Sequence, residues 1–207
     1  YEPLFIFRQA LTFLIMDKLR ECIKSQILID ELSLDTILLN FKTKTLRKGD
    51  FLLKKGIVCR EMAFIESGYL RMYDIVDGRE ITLWIGSSGK FITSVSSFVF
   101  QTENFWNIQA VTDCEMRTIT RDDHFSLCQE QVKWLEFDNL LLAHSFALLE
   151  KNMFSQLHTT AQQRLEALLN DEPSLFNNVP LQYIASMLGI TPESLSRLRK
   201  NIVQPTS

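Results

Sequence analysis

Residues 179–200 read VPLQYIASMLGITPESLSRLRK, and they decide how the rest of the chain is understood. Pro180 suits a first helical turn, and Ile184, Ala185 and Leu188 recur on one apolar face. Gly189 then marks a helix stop that needs a positive φ. Thr191-Pro192 supplies the cap and first-turn pair of a second helix, with Leu195 and Leu198 facing inward. Two helices joined by a short Gly turn, with a small Ala at the crossing, form a helix-turn-helix; an ordinary helical hairpin is the alternative. The outward face of the second helix favours the former. Ser194, Ser196, Arg197, Arg199 and Lys200 are polar or basic, and segment 174–207 carries three positive charges against one negative, a balance of +2. Glu193 and Arg197, at i and i+4, are expected to pair in the free chain and to read bases: Glu accepts from cytosine N4, and Arg binds guanine O6 and N7. The Thr191 and Ser196 hydroxyls are candidate phosphate or base contacts, while Arg199 and Lys200 steer and position the helix.

Upstream of this motif the pattern remains helical. Thr160 is expected to cap a helix running to about Asn170, stopped by Asp171-Glu172-Pro173. Before it, a long helix near Val132–Leu157 carries a heptad-like seam of Leu135, Leu142, Phe146, Leu149 and Met153. At 1.5 Å per residue it extends roughly 39 Å. Leu140, Leu141, Ala143, Ala147, Leu148 and Phe154 make further faces apolar, so the helix needs cover on more than one side. A folded domain on one side and a second copy of the helix on the other would provide it; one core helix of a monomer is the alternative. The break near Leu157–Thr160 reads as a hinge.

From Lys42 to Thr120 the text changes to short apolar runs bounded by Gly49, Gly56, Gly68, Gly78 and Gly89, spaced 7, 12, 10 and 11 residues apart. Even turn signals of this kind mark an antiparallel sandwich or barrel. The clearest hairpin is Tyr69–Val76, Asp77-Gly78, Glu80–Ile85, because Asp-Gly tolerates positive φ in a tight turn. Thr120 with Asp123 resembles a capping box that opens a short helix. Residues 1–41 return to helical periodicity through Phe13, Met16, Leu19 and Ile23, and Ser33 is a candidate cap for a helix reaching Phe41. The expected fold is α+β: an antiparallel double-stranded β-roll, jelly-roll-like, with flanking helices (1–131), a long dimerisation helix (132–158), and an all-α helix-turn-helix domain (159–207).

Composition narrows the function. The chain has 207 residues, 46% hydrophobic and 23% charged, with only 7 Gly and 5 Pro, which excludes disordered, collagen-like and linker-rich classes. Net charge is −3, so any nucleic-acid contact must be local. Phe supplies 15 of the aromatics against 4 Tyr and 3 Trp, fitting packed interiors better than a single-strand stacking surface. Cys22, Cys59, Cys114 and Cys128 lack metal spacing and read as reduced core thiols, placing the chain in a cytoplasm. The apolar runs fall short of the ~18 residues of a membrane span, and Tyr1-Glu2-Pro3 has no basic signal-peptide region. His124, His144 and His158 stand isolated, and residues 42–119 contain no His for a cupin-type metal site. No catalytic constellation, metal set or cofactor is expected, and the chain reads as a non-enzyme.

With these residues in view, the chain resembles a Crp/Fnr-type transcription regulator over about residues 30–200. Lys48-Gly49-Asp50, Glu66-Ser67-Gly68, Asp77-Gly78-Arg79-Glu80 and Gly89-Lys90-Phe91-Ile92 resemble the successive turns of the family's β-roll. Glu193, Ser196 and Arg197 match its E-x-x-S-R base-reading pattern. The resemblance implies a homodimer on a pseudo-palindromic double-stranded operator, contact with RNA polymerase, and a small-molecule effector acting through the hinge. It fails at the nucleotide-phosphate cassette, where the family places Gly-Glu and, about ten residues on, an Arg-Ser whose guanidinium pairs with the phosphate. Those positions fall here on Thr93-Ser94 and Asn104-Phe105, so cyclic AMP is not expected to bind. Arg117 or Arg121 could substitute, although spacing places neither in the pocket. Thr93, Ser94, Asn104 and Phe105, with Ser96, Ser97, Phe98 and Trp106, are candidates for an uncharged or weakly anionic effector; a pocket collapsed around Phe105 and Trp106 is the alternative. The family's iron–sulfur cysteine group is not matched by Cys22 alone, and the seven residues after Lys200 leave little room for its C-terminal β-wing. A ligand-sensing module with a weak or vestigial DNA-binding part stands as the competing reading.

Overall fold

The computed structural model describes residues 17–203. Two helices lead in: α1 (Lys18–Gln26), capped by Asp17, and α2 (Glu31–Leu38), capped by Asp30. The expected cap Ser33 sits instead in the first turn, its N–H and hydroxyl donating to the Asp30 carboxylate at 2.9 and 2.7 Å. A carboxylate one helical turn earlier outcompetes the hydroxyl for the free N–H groups at the helix start. Phe13 and Met16 lie outside the described residues, whereas Leu19 and Ile23 are fully buried.

Eight strands follow: β1 (Lys42–Leu46), β2 (Phe51–Leu53), β3 (Glu61–Ser67), β4 (Leu70–Val76), β5 (Arg79–Gly86), β6 (Phe91–Ile92), β7 (Asn107–Ala110) and β8 (Cys114–Thr120). They form two antiparallel four-stranded sheets, ordered β1-β8-β3-β6 and β2-β7-β4-β5. The Asp77-Gly78 turn has φ of 51° and 74°, the paired positive values a two-residue hairpin requires. Gly68 is needed for a second reason. Its φ is +91°, and a Cβ there would meet the Cys114 sulfur at 2.7 Å and the Asp113 carbonyl closer still. Phe64, Ile65, Leu70, Ile108 and Met116 are all essentially inaccessible and belong to one core that the sheets share with the flanking helices.

The short helix α3 (Val95–Phe100) crosses the roll before β7, and α4 (Arg121–Glu130) leaves it after β8. Thr120 caps α4, accepting from the Asp123 N–H at 3.1 Å; its hydroxyl also donates to the Asp123 carboxylate at 2.7 Å. The long helix α5 (Val132–His158) spans 27 residues. Only its root is covered: Trp134 and Phe137 are buried against Phe41 and Phe91, with ring centroids 5.6 and 5.8 Å apart. Beyond Leu141 the roll no longer reaches it, and residues 142–154 are exposed on every face. Leu142, Phe146, Leu148, Leu149, Met153, Phe154 and Leu157 thus stand in solvent, an apolar surface that a soluble chain must cover.

The helical remainder comprises α6 (Ala161–Asp171), α7 (Leu175–Asn178), α8 (Leu181–Met187) and α9 (Pro192–Val203). Thr160 opens α6 with a complete capping box to Gln163. Leu165, Leu175, Ile184 and Leu195 make a second core, and it includes Ile85 and Val111 of the roll. The C-terminal helices are therefore seated on the roll rather than held only by α5.

Candidate nucleic-acid interface

The turn between α8 and α9 has a specific hydrogen-bond signature. Gly189, at φ 71°, donates its N–H to the Ser186 carbonyl, and the Ile190 N–H reaches back to the Ala185 carbonyl, both at 3.0 Å. This 6→1 and 5→2 pair is a Schellman stop, which needs the left-handed residue that Gly189 supplies. Arg164 locks the turn to the start of the domain, donating to the Leu188 carbonyl at 3.1 Å and the Thr159 carbonyl at 2.6 Å. Thr191 then begins α9, its hydroxyl accepting from the Ser194 N–H at 3.2 Å, with Pro192 at the first helical position.

Leu195, fully buried, fixes the rotation of α9, and rotation sorts the predicted residues. Thr191, Glu193, Ser196, Arg197 and Lys200 are exposed. Four of them lie on one helical stripe at i, i+3, i+4 and i+7. With Pro192 they line a shallow depression of about 510 Å³. Ser194 and Arg199 belong to a different side. Ser194 is half-buried and accepts from the Thr191 hydroxyl at 3.2 Å, and the Arg199 guanidinium lies 5.2 Å over the Phe176 ring. The expected Glu193–Arg197 pair is not among the ion pairs of the described residues. The Glu193 carboxylate turns to its own backbone N–H and the Thr191 hydroxyl, which hold its pKa below the usual carboxylate range. Arg197 is left presented outward in the second turn of the helix.

Sequence reasoning missed what sets this helix pair against the roll. Arg71 is 1% exposed in β4, and its guanidinium is sandwiched between the rings of Tyr73, at 3.8 Å, and Tyr183 of α8, at 3.6 Å. It donates to the Glu80 carboxylate at 2.7 Å and to the Gln109 side-chain oxygen at 3.3 Å. Beside it, the Ser186 hydroxyl donates to the Glu80 carbonyl and accepts from the Thr82 N–H, both at 2.9 Å. The Ser87 hydroxyl donates to the Glu172 carboxylate at 3.1 Å. The available signal was a lone Arg in the otherwise apolar run Leu70–Tyr73.

The effector candidates are spent largely on the fold itself. Asn104, 2% exposed, donates to the Lys54 and Ile57 carbonyls at 2.6 and 3.1 Å and accepts from the Trp106 N–H at 2.6 Å. Thr93 donates to the Glu61 carbonyl at 3.1 Å. Ser94 is buried with a free hydroxyl at the start of α3. Of the two rings expected to fill a collapsed pocket, Phe105 is 63% exposed and fills nothing, whereas Trp106 is half-buried against the core. Arg121 donates to the Phe98 and Val99 carbonyls at 2.8 and 3.3 Å, closing the end of α3. Arg117 faces Asp17 and Glu66 at 3.9 Å. Burial pushes the thiols of Cys22, Cys114 and Cys128 up, Cys128 to about 11, so all three rest protonated rather than as reactive thiolates. His124, isolated in sequence, is not isolated in space: the fold gathers Cys128 and Asp138 around it. No described helix is long and apolar enough to cross a membrane.

Comparison with known proteins agrees with this architecture. Residues 43–131 match the cyclic nucleotide-binding domain family. FixK2 from Bradyrhizobium japonicum is similar at a TM-score of 0.68 and 16% identity, over 78% of this chain and 84% of that one. The c-di-GMP-responsive global regulator CLP of Xanthomonas campestris gives 0.65 and 17%, covering 84% and 91%. The catabolite activator protein of Thermus thermophilus gives 0.53 and 20%, covering 84% of each chain. No curated protein matches by sequence. The chain has the Crp/Fnr fold, a cyclic-nucleotide-binding-type β-roll followed by C-terminal helices.

Proposed function

We propose that this chain is a sequence-specific DNA-binding transcription regulator, not an enzyme, that acts as a homodimer and does not answer to cyclic AMP. The observation that carries the reading is the outward stripe of α9. Glu193, Ser196, Arg197 and Lys200 are exposed together on a helix whose buried side is fixed by Leu195. Arg197 suits guanine, Glu193 suits cytosine, and Lys200 suits phosphate. The uncovered seam of Leu135, Leu142, Phe146, Leu149 and Met153 supports a second copy as the missing cover. Pairing α5 with itself would set two recognition helices about 34 Å apart on half-sites of one pseudo-palindrome. Thr93-Ser94 and Asn104-Phe105 offer no guanidinium for a cyclic phosphate, and Arg121 is engaged elsewhere. An effector, where one exists, acts by redistributing the chain between docked and undocked arrangements about the hinge at Thr159; contact with RNA polymerase is part of the same reading.

The test is to incubate the chain with fragmented genomic DNA, without effector, and to sequence what wild type retains and Arg197→Ala does not. A shared inverted repeat is expected. Retention of the same fragments by both proteins would overturn base reading by α9 and favour a ligand-sensing module with a vestigial DNA-binding part.

A further inference from the structure

Where the roll meets the long helix, three side chains with metal-ligating atoms converge, and DNA reading uses none of them. His124 and Cys128 project from α4 at i and i+4, the spacing that puts two ligands on one helical face. Asp138 comes from the second turn of α5. The His124 Nε2 lies 3.7 Å from the Cys128 Sγ and 3.7 Å from the Asp138 carboxylate. All three ligand atoms fall within 4.8 Å of one another.

These separations are too long for an imidazole–carboxylate hydrogen bond. They are close to what a shared ion imposes. Zinc bonds of about 2.0–2.1 Å to N, 2.3 Å to S and 2.0–2.2 Å to O, set at tetrahedral angles, hold N and S about 3.6 Å apart and N and O about 3.4 Å apart. Without an ion the cluster is only partly satisfied: the Cys128 thiol is within sulfur hydrogen-bond reach of the His124 Nε2, and the Asp138 carboxylate is a long ion-pair partner of the same nitrogen. The His124 side chain is 5% exposed and its Nδ1 is buried without a partner, as is the Trp134 indole nitrogen nearby. Rings of Phe98, Phe125 and Trp134 surround the imidazole at 5.4, 5.1 and 5.7 Å. That cage excludes water from one side and fixes the ring. Cys128 and Asp138, by contrast, are half-buried rather than sealed. Arg121, on the same helix, spends its guanidinium on the carbonyls at the end of α3.

We propose that His124, Cys128 and Asp138 bind one divalent ion of the zinc type, the Cys128 thiol releasing its proton to solvent as the metal–sulfur bond forms, and that the ion fastens α4 to the root of α5. One soft, one borderline and one hard donor suit zinc better than magnesium or calcium, which prefer all-oxygen shells. The ion would set how firmly the exposed length of α5 is rooted in the roll.

The experiment uses the full chain, stripped with a chelator, then titrated with Co²⁺ as a spectroscopic probe and with Zn²⁺ as competitor. Expected are one Co²⁺ per chain, a sulfur-to-cobalt charge-transfer absorption, its bleaching by Zn²⁺, and a melting temperature that rises with Zn²⁺ concentration. Cys128→Ala should lose the absorption. Asp138→Asn, which keeps shape and side-chain volume, should retain the fold yet bind at least about tenfold more weakly. An unchanged absorption in Cys128→Ala, or no absorption and no Zn²⁺-dependent melting shift in wild type, would overturn the site and leave His124–Asp138 as a buried pair only. The readouts need no DNA, so their failure is separate from failure of DNA binding.

Discussion

The guanidinium of Arg71 lies 3.6 Å from the centre of the Tyr183 ring, and through that contact the roll holds the helix pair that carries Arg197. A buried cation between two aromatic faces is worth about 2 kcal/mol when desolvated. Arg71→Ala and Tyr183→Ala are each expected to destabilise the chain, with a coupling of roughly 1–2 kcal/mol in a double-mutant denaturation cycle. Additivity within about 0.3 kcal/mol would mean that the ring and the guanidinium are neighbours without being partners.

Arg197 and Arg199 sit two residues apart and should fail differently. Arg197→Ala is expected to cost about 1–3 kcal/mol on a specific site and to relax discrimination at one base position, leaving the melting temperature in place. Arg199→Ala removes a cation from the Phe176 face. Its loss should appear in stability, by about 0.5–1 kcal/mol. Equal losses from Arg197→Ala on all DNA sequences, measured by titration at fixed salt, would argue against direct readout.

Leu142 and Phe146 are 44% and 62% exposed on the bare part of α5. Replacing both with Glu is expected to give a monomer by light scattering, with the far-ultraviolet spectrum of the roll retained. A dimer of unchanged mass would put the self-association surface elsewhere.

Cyclic AMP at millimolar concentration is expected to leave the melting temperature where it was, since linkage requires a difference in binding between folded and unfolded chains. A concentration-dependent rise would show that another group supplies the counter-charge absent from Asn104-Phe105.

Local chemistry was legible in the sequence wherever a single residue dictates backbone shape. Gly189, the Asp77-Gly78 turn, and the caps Thr160 and Thr191 all stand where their φ preferences and hydroxyls put them. The spacing of Gly49 to Gly89 found the roll for the same reason. Side-chain partnerships across long separations were not legible. Arg71 meets Tyr183, and His124 meets Asp138, only because strands and helices distant in sequence are brought to one place. Periodicity also overstated the cover on α5: apolar faces signal that a helix wants cover, not where the neighbouring domain stops. The division of α9 into an outward stripe and an inward Arg199 depended on Leu195 fixing the helix rotation, a property of packing rather than pattern.

The hydroxyl of Ser186 has a consequence for solubility. β5 is the last strand of its sheet, so its outer row of backbone groups is a template onto which another chain could add a strand. Ser186 occupies the Glu80 carbonyl and the Thr82 N–H, and α8 lies along the same edge. Ile81 and Leu83 beside it are nearly half exposed, the kind of side chains that make an open edge adhesive. The helix that leads into the exposed stripe of α9 therefore also keeps the sheet from recruiting a stranger.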